Sequence, residues 1–134
     1  MILLKALVLS MSLGLLSIEI VIRIFSEESS IIFSSDLGII LLFFVIGSAY
    51  SLPLHLLIRL EKYSVLRIIA VSAIIALVPA FLISFAWSGT ATLTSTTNAL
   101  LSETGMAFYF GFVIHGSAFS LFRKYLNRKA LLPR

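Results

Sequence analysis

The chain has 134 residues, of which 60% are hydrophobic and 12% are charged, and its formal net charge is +4. A soluble domain carries about a quarter charged residues, so this composition excludes a water-soluble globular protein. With a mean hydropathy of +1.12, it indicates a single integral membrane domain over residues 1–134. The absence of cysteine excludes disulfides, thiol catalysis and cysteine-ligated metal centres.

Charged residues divide the sequence into apolar segments, each long enough for a membrane-spanning helix of roughly 20 residues. The predicted spans lie near residues 4–25, 37–58, 68–88 and 105–122. Between the last two spans, residues 88–98 are rich in Ser, Thr, Gly and Asn, whose side chains favour turns. We therefore predict an exposed loop over 89–104. The predicted fold is an all-α membrane protein, a four-transmembrane-helix bundle.

The placement of Lys and Arg predicts the orientation of the bundle. Of the ten basic residues, only Arg23 lies near the side that holds the 26–36 and 89–104 connections. The others occupy the N-terminus, the 59–67 connection and a basic tail over 123–134. Because cytoplasmic loops collect Lys and Arg, we predict that both termini are cytoplasmic. Membrane orientation and anionic lipid head groups then explain the positive charge, and no nucleic-acid partner is expected.

The first segment has an alternative interpretation as a cleaved signal peptide. Lys5 would provide the basic region and residues 7–16 the apolar core. The sequence Ser17-Ile-Glu19 after that core is not a small-x-small cleavage site. We therefore predict that this segment is retained as the first membrane span.

The first candidate site is a charged pair in the first span, Glu19 and Arg23. Their i, i+4 spacing with Glu first favours a salt bridge on one helix face. The pair lies roughly opposite a stripe of small residues formed by Ser10, Gly14 and Ser17. If that stripe packs inward, the pair faces lipid or another protein. We predict a partner contact formed by Glu19, Arg23, Glu27 and Glu28; a self-paired couple near the head groups is the structural alternative.

The second candidate is an intramembrane polar site formed by Ser48, Ser51, His55 and His115. Ionisable residues inside a membrane are costly and often functional. His115 lies near the middle of the fourth span, where a Ser hydroxyl or a free carbonyl could hold a neutral imidazole, or where it could relay protons. The two histidines differ in depth by about four residues, or about 6 Å. We therefore predict no shared metal, and no cofactor is expected.

Two stretches of the sequence resemble a broad group of small bacterial inner-membrane proteins with four predicted spans and no assigned function. The first runs from Leu52 to Arg59 (LPLHLLIR) and on to Arg67 (LEKYSVLR), followed by an apolar helix with Pro79. The second is GSAF over 116–119, followed by FRK over 122–124. The resemblance covers about half of the chain and implies a bacterial inner membrane. It implies no catalytic residues.

The sequence contains no motif of a known enzyme class. A Gly-rich phosphate loop, H-E-x-x-H and G-x-S-x-G are all missing. We predict a non-catalytic inner-membrane binding protein, either an immunity protein against a membrane-active toxin or a small accessory or regulatory subunit of a membrane complex. Its partner would be a membrane or periplasmic protein. The alternative is a small transporter or channel that works as a homo-oligomer, and a third hypothesis is a lipid-directed enzyme with His115 as base.

Overall fold

The computed structural model describes residues 1–25, 37–58, 63–87 and 92–131. In these residues the chain forms α1 (Ile2–Phe25), α2 (Leu37–Leu57), α3 (Val65–Trp87), α4 (Leu93–Leu101) and α5 (Glu103–Leu131). All except the short α4 are long and apolar enough to cross a membrane. The predicted all-α bundle of four spanning helices is confirmed, and the chain is a multi-pass membrane protein.

The fourth spanning helix extends beyond its predicted limits of 105–122. Helix α5 begins at Glu103, whose carboxylate lies in the first turn, where it complements the positive end of the helix dipole. At the other end α5 continues to Leu131. Arg and Lys are good helix formers and are favoured near a helix C-terminus. The first part of the predicted basic tail is therefore a continuation of the last membrane helix.

The predicted exposed loop over 89–104 is wrong for residues 93–101, which form α4. Thr92 caps this helix, and its side chain accepts a hydrogen bond from the backbone N–H of Ser95. The hydroxyl of Thr96 is directed to the Thr92 carbonyl at 2.9 Å. The polar side chains therefore satisfy backbone groups of the helix instead of competing with it. Thr96 is buried, and α4 packs on α3 and α5.

Helix α5 is the centre of the bundle and contacts all four other helices. Within the described residues, α1 and α3 do not contact each other, so they lie on opposite sides of the α2–α5 pair. The space between α2 and α5 is filled by aromatic rings. Phe43 stacks on Phe112 with 4.8 Å between ring centroids, and Tyr50 meets Phe112 edge to face at 5.8 Å. The middle of the bundle is therefore a packed core.

Helices α1 and α5 approach closely because glycines lie at their crossing. A Cβ atom added at Gly111 would be 2.4 Å from Cγ1 of Ile18. One added at Gly14 would be 3.0 Å from the Gly111 carbonyl oxygen and from Cβ of His115. Ser10 and Gly14 are buried, so the predicted small-residue stripe of α1 does pack inward at these two positions. Such close approach is how helices gain packing energy in a bilayer.

Candidate functional site

His115 and Ser51 meet in the core between α5 and α2. Nε2 of His115 lies 3.0 Å from Oγ of Ser51 and 3.2 Å from the carbonyl oxygen of Gly47. The Ser51 hydroxyl is directed to the same carbonyl at 2.9 Å. Because a carbonyl oxygen can only accept hydrogen bonds, its contact with His115 requires a proton on Nε2. The imidazole is therefore a donor in this cluster.

This geometry does not assemble a catalytic group. With its proton on Nε2, His115 cannot accept the proton of the Ser51 hydroxyl, as a general base would. Neither Glu19 nor Glu103, the two carboxylates in the described chain, hydrogen-bonds to the imidazole. Nδ1 makes no hydrogen bond within the described residues. The arrangement suits a buried imidazole that ties α5 to α2.

A second polar cluster lies where α2 finishes beside α5, at the end of the bundle that we call the basic end. Nη1 of Arg123 is 2.6 Å from Nδ1 of His55, and Nη2 of Arg123 donates to the Ile58 carbonyl at 2.9 Å. The guanidinium carbon lies 6.0 Å from the ring centre of Phe119. Arg123 is only 6% exposed. The sequence places this arginine in a basic tail, whereas the structure places it inside the helix packing.

The four predicted residues of the intramembrane polar site thus occupy three places. Ser51 joins His115, whereas His55 joins Arg123. Ser48 is exposed on the outer surface of α2, and its hydroxyl donates to the Phe44 carbonyl at 2.7 Å. Arg123 is the member that the sequence interpretation missed. Following the face of α5 from His115 into the tail at steps of four residues would have found it.

The predicted salt bridge in α1 is present, with Nε of Arg23 2.7 Å from Oε1 of Glu19. The expectation that both residues lie outside the packed interior is wrong for Glu19. Its side chain is 8% exposed, whereas that of Arg23 is 56% exposed. Ile18 and Ile22 on either side of Glu19 are also buried, so the inward face of α1 is wider than the small-residue stripe. Glu27 and Glu28, the other predicted contact residues, lie outside the described residues.

Two tyrosines link neighbouring helices to α3 through backbone carbonyls. The Tyr50 hydroxyl of α2 donates to the Ser72 carbonyl at 2.7 Å, and the Tyr109 hydroxyl of α5 donates to the Ala73 carbonyl at 3.3 Å. Gly116 makes room for the first contact, because a Cβ there would lie 2.5 Å from the Tyr50 oxygen. A tyrosine hydroxyl in the middle of a span needs a partner, but the sequence does not indicate which carbonyl provides it.

In the described residues, no three His, Asp or Glu side chains come together as a group that could hold a metal ion. The fold and these clusters define a four-span helical membrane protein with a closed interior and hydrogen bonds between its helices. Comparison with protein-family models, with curated proteins and with solved structures finds no match to the chain.

Proposed function

We propose that this chain is a non-catalytic binding protein of a bacterial inner membrane, which contacts a membrane or periplasmic protein through the Arg23 end of α1. The observation that carries the proposal is the asymmetry of the charged pair in α1. Glu19 is buried and holds the Nε of an arginine that is more than half exposed. The pair therefore presents a guanidinium on the surface in a defined orientation, as a protein partner requires.

The filled interior supports a binding role over passage through a single chain. Phe43, Phe112 and His115 occupy the space between α2 and α5 and are fully buried. The buried imidazole donates to α2 and has no geometry for proton abstraction from Ser51. With the interior closed, the surfaces left for a function are the lipid-facing sides of the helices and the two ends of the bundle.

The distribution of charge supports the proposed membrane and orientation. Lys5, Arg67, Arg123 and Lys124 lie near one end of the spanning helices, whereas Arg23 lies near the other. The positive-inside rule then gives cytoplasmic termini. In this orientation Arg23 faces the periplasmic side. A membrane-active toxin arriving from outside, or the periplasmic face of a larger complex, would meet it there.

The test is isolation of the tagged chain from its native membrane in lipid nanodiscs, followed by cross-linking and mass spectrometry. We expect a specific protein partner with the unmodified chain and loss of at least 10-fold of that partner with Arg23→Glu, because charge reversal replaces attraction by repulsion at the contact. Glu19→Gln should reduce the amount of recovered partner less than Arg23→Glu does, since glutamine keeps the size of the side chain that holds the guanidinium.

Arg67→Glu is the matched control, because it reverses an exposed cation at the opposite end of the bundle. It should leave partner recovery unchanged. Recovery of no protein above the level of an unrelated four-span chain would contradict the proposal. Equal loss with Arg23→Glu and Arg67→Glu would also contradict it, because the effect would then belong to net charge. Survival of cells challenged with pore-forming toxins would distinguish an immunity protein from an accessory subunit.

A small oligomeric channel is the second candidate, and the exposed Ser48 favours it. This hydroxyl lies near the middle of α2 on the outer surface, where a lipid-facing side chain is usually apolar. Since a single chain has a filled centre, any path would have to form between copies around a symmetry axis. Liposomes containing the purified chain should then conduct ions or small solutes, and Ser48→Leu should abolish the flux. Flux equal to that of empty vesicles rejects this candidate.

A further inference from the structure

We propose that His55 and Arg123 form a proton-sensitive contact between α2 and α5 at the basic end of the bundle. Neutral His55 accepts a hydrogen bond from Arg123 and holds the two helix ends together. Protonated His55 cannot accept it, and the ends separate. This inference does not depend on the proposed partner of Arg23, which lies at the opposite end of the molecule.

The direction of the hydrogen bond follows from the chemistry of its two groups. A guanidinium has only N–H donors, so the 2.6 Å contact between Nη1 of Arg123 and Nδ1 of His55 requires a lone pair on Nδ1. The His55 proton must therefore reside on Nε2. Adding a second proton at Nδ1 removes the acceptor and places an imidazolium against a guanidinium. A hydrogen bond to a charged donor is thereby replaced by repulsion between two cations.

Within the described residues, the charges at this end do not compensate a protonated His55. At this end the charged residues of the described chain are the N-terminus, Lys5 on α1, Arg67 on α3, and Arg123, Lys124, Arg128 and Lys129 on α5, all of them cationic. Tyr63, before α3, presents its carbonyl to the Lys124 amine at 3.0 Å. The carboxylates of the described chain, Glu19 and Glu103, lie in the other half of the bundle. Among the described residues, protonation of His55 thus adds a cation to a group of cations.

The two residues differ in burial. His55 is exposed in the last turn of α2. Arg123 is buried and is also held by the Ile58 carbonyl and the Phe119 ring. The Phe119 ring lies on the same helix as Arg123 and stays with it, whereas the Ile58 carbonyl belongs to the end of α2. Movement of that end away from α5 therefore gives up the Ile58 contact as well as the His55 contact. The glycine crossing of α1 and α5 is not involved.

The experiment measures the distance between the ends of α2 and α5 at two pH values. The chain has no cysteine, so spin labels can be attached to Leu56→Cys and Tyr125→Cys, both at exposed positions, in the full chain in nanodiscs. On changing from pH 8 to pH 5, we expect the mean distance to lengthen by at least the ~1–2 Å of a typical helix shift. Labels on Leu41→Cys and Phe110→Cys, at the opposite end, should show no change.

Two substitutions at His55 make the assignment specific. His55→Asn keeps an acceptor for Arg123 but does not titrate, so the distance of pH 8 should persist at pH 5. His55→Lys is cationic at both values and should give the longer distance throughout. An unchanged distance in the unmodified chain would overturn the proposal. A pH response in His55→Asn equal to that of the unmodified chain would also overturn it.

Nitrogen-15 NMR of the imidazoles provides a measurement that needs no change at His55. The chain has two histidines, and His115→Leu identifies the signal of His55. We expect an unprotonated Nδ1 wherever the label distance is the shorter one and protons on both nitrogens wherever it is the longer one. A proton on Nδ1 at the shorter distance, or a neutral ring at the longer one, would contradict the contact proposed here.

Discussion

Gly111 and Gly116, five residues apart in α5, lie against different helices and make room for different groups. Gly111 lies where α1 crosses, and its missing side chain lets the backbone near Gly14 and the side chain of Ile18 come close. Gly116 lies on the α2 side, where its missing side chain admits the ring of Tyr50 on the way to the Ser72 carbonyl of α3. One glycine therefore brings helices together, whereas the other makes room for a hydrogen bond.

The difference shows how a small bundle is held together in lipid. Lipid tails are as apolar as leucine, so helices associate through van der Waals packing and hydrogen bonds between helices. The crossing of α1 with α5 relies on close packing around Gly14 and Gly111. The contact of α2 with α5 carries Ser51, His55 and their partners His115 and Arg123. In the described residues, the side-chain hydrogen bonds of both histidines lie in this second interface.

Substitution at the glycine crossing should have the largest effect on stability. Gly111→Val places a branched side chain where even a Cβ atom would be 2.4 Å from Ile18. Overpacking of this kind costs about 1–3 kcal/mol, and we expect the upper part of that range because the Gly14 carbonyl lies 3.3 Å away and belongs to backbone. Unfolding in mixed micelles with increasing sodium dodecyl sulfate measures the change.

Ala49→Val is the control for this substitution. It also introduces valine, but at an exposed position of α2, where lipid can accommodate the added methyl groups. The free energy of unfolding should stay within about 0.5 kcal/mol of the unmodified chain. If Gly111→Val were as mild as Ala49→Val, close packing at the α1–α5 crossing would not be what holds these helices.

A double-mutant cycle between Gly116 and Tyr50 tests the other use of glycine and should give an intermediate effect. Gly116→Ala alone places a Cβ 2.5 Å from the Tyr50 oxygen and should displace the ring from Ser72, at a cost of about 1–2 kcal/mol. Tyr50→Phe alone loses the hydrogen bond, at about 1 kcal/mol. The pair should cost less than their sum, because phenylalanine removes the closest clashing atom and leaves the contacts of 2.9 Å with Cε1 of the ring and Cδ1 of Leu54. Strict additivity would mean that Gly116 does not make room for the hydroxyl.

The number and positions of the membrane helices could be predicted from the sequence because they depend on a local property. Apolar segments of sufficient length between charged residues indicate spans whatever their neighbours are. The 93–101 segment was mispredicted because its Thr side chains can either compete with helical hydrogen bonds or satisfy them. In the structure this segment is helical and Thr96 is buried against the bundle. The burial of Thr96 cannot be predicted from the sequence of this segment alone.

The candidate site could be predicted only in part, because its contacts join residues distant in sequence. The pairing of Glu19 with Arg23 follows from helical spacing alone and is confirmed. The contact of His115 with Ser51 joins residues 64 positions apart, and that of Arg123 with His55 joins residues 68 apart. Such pairs depend on the rotation and depth of each helix. For the same reason the burial of Glu19 could not be derived from the face of α1 alone.

The smallest expected effect belongs to the His115–Ser51 pair, and it separates a structural imidazole from a functional one. His115→Leu, Ser51→Ala and the double variant form a cycle whose coupling energy we expect to be about 0.6 kcal/mol, the average for hydrogen bonds between membrane helices. The value should be small because the Gly47 carbonyl keeps its contact with the Ser51 hydroxyl in the absence of the imidazole. Partner recovery in nanodiscs should be unchanged in all three variants. If His115→Leu abolished recovery of the partner while the free energy of unfolding stayed the same, His115 would belong to the functional site, and the division between a structural core and a binding surface at Arg23 would be wrong.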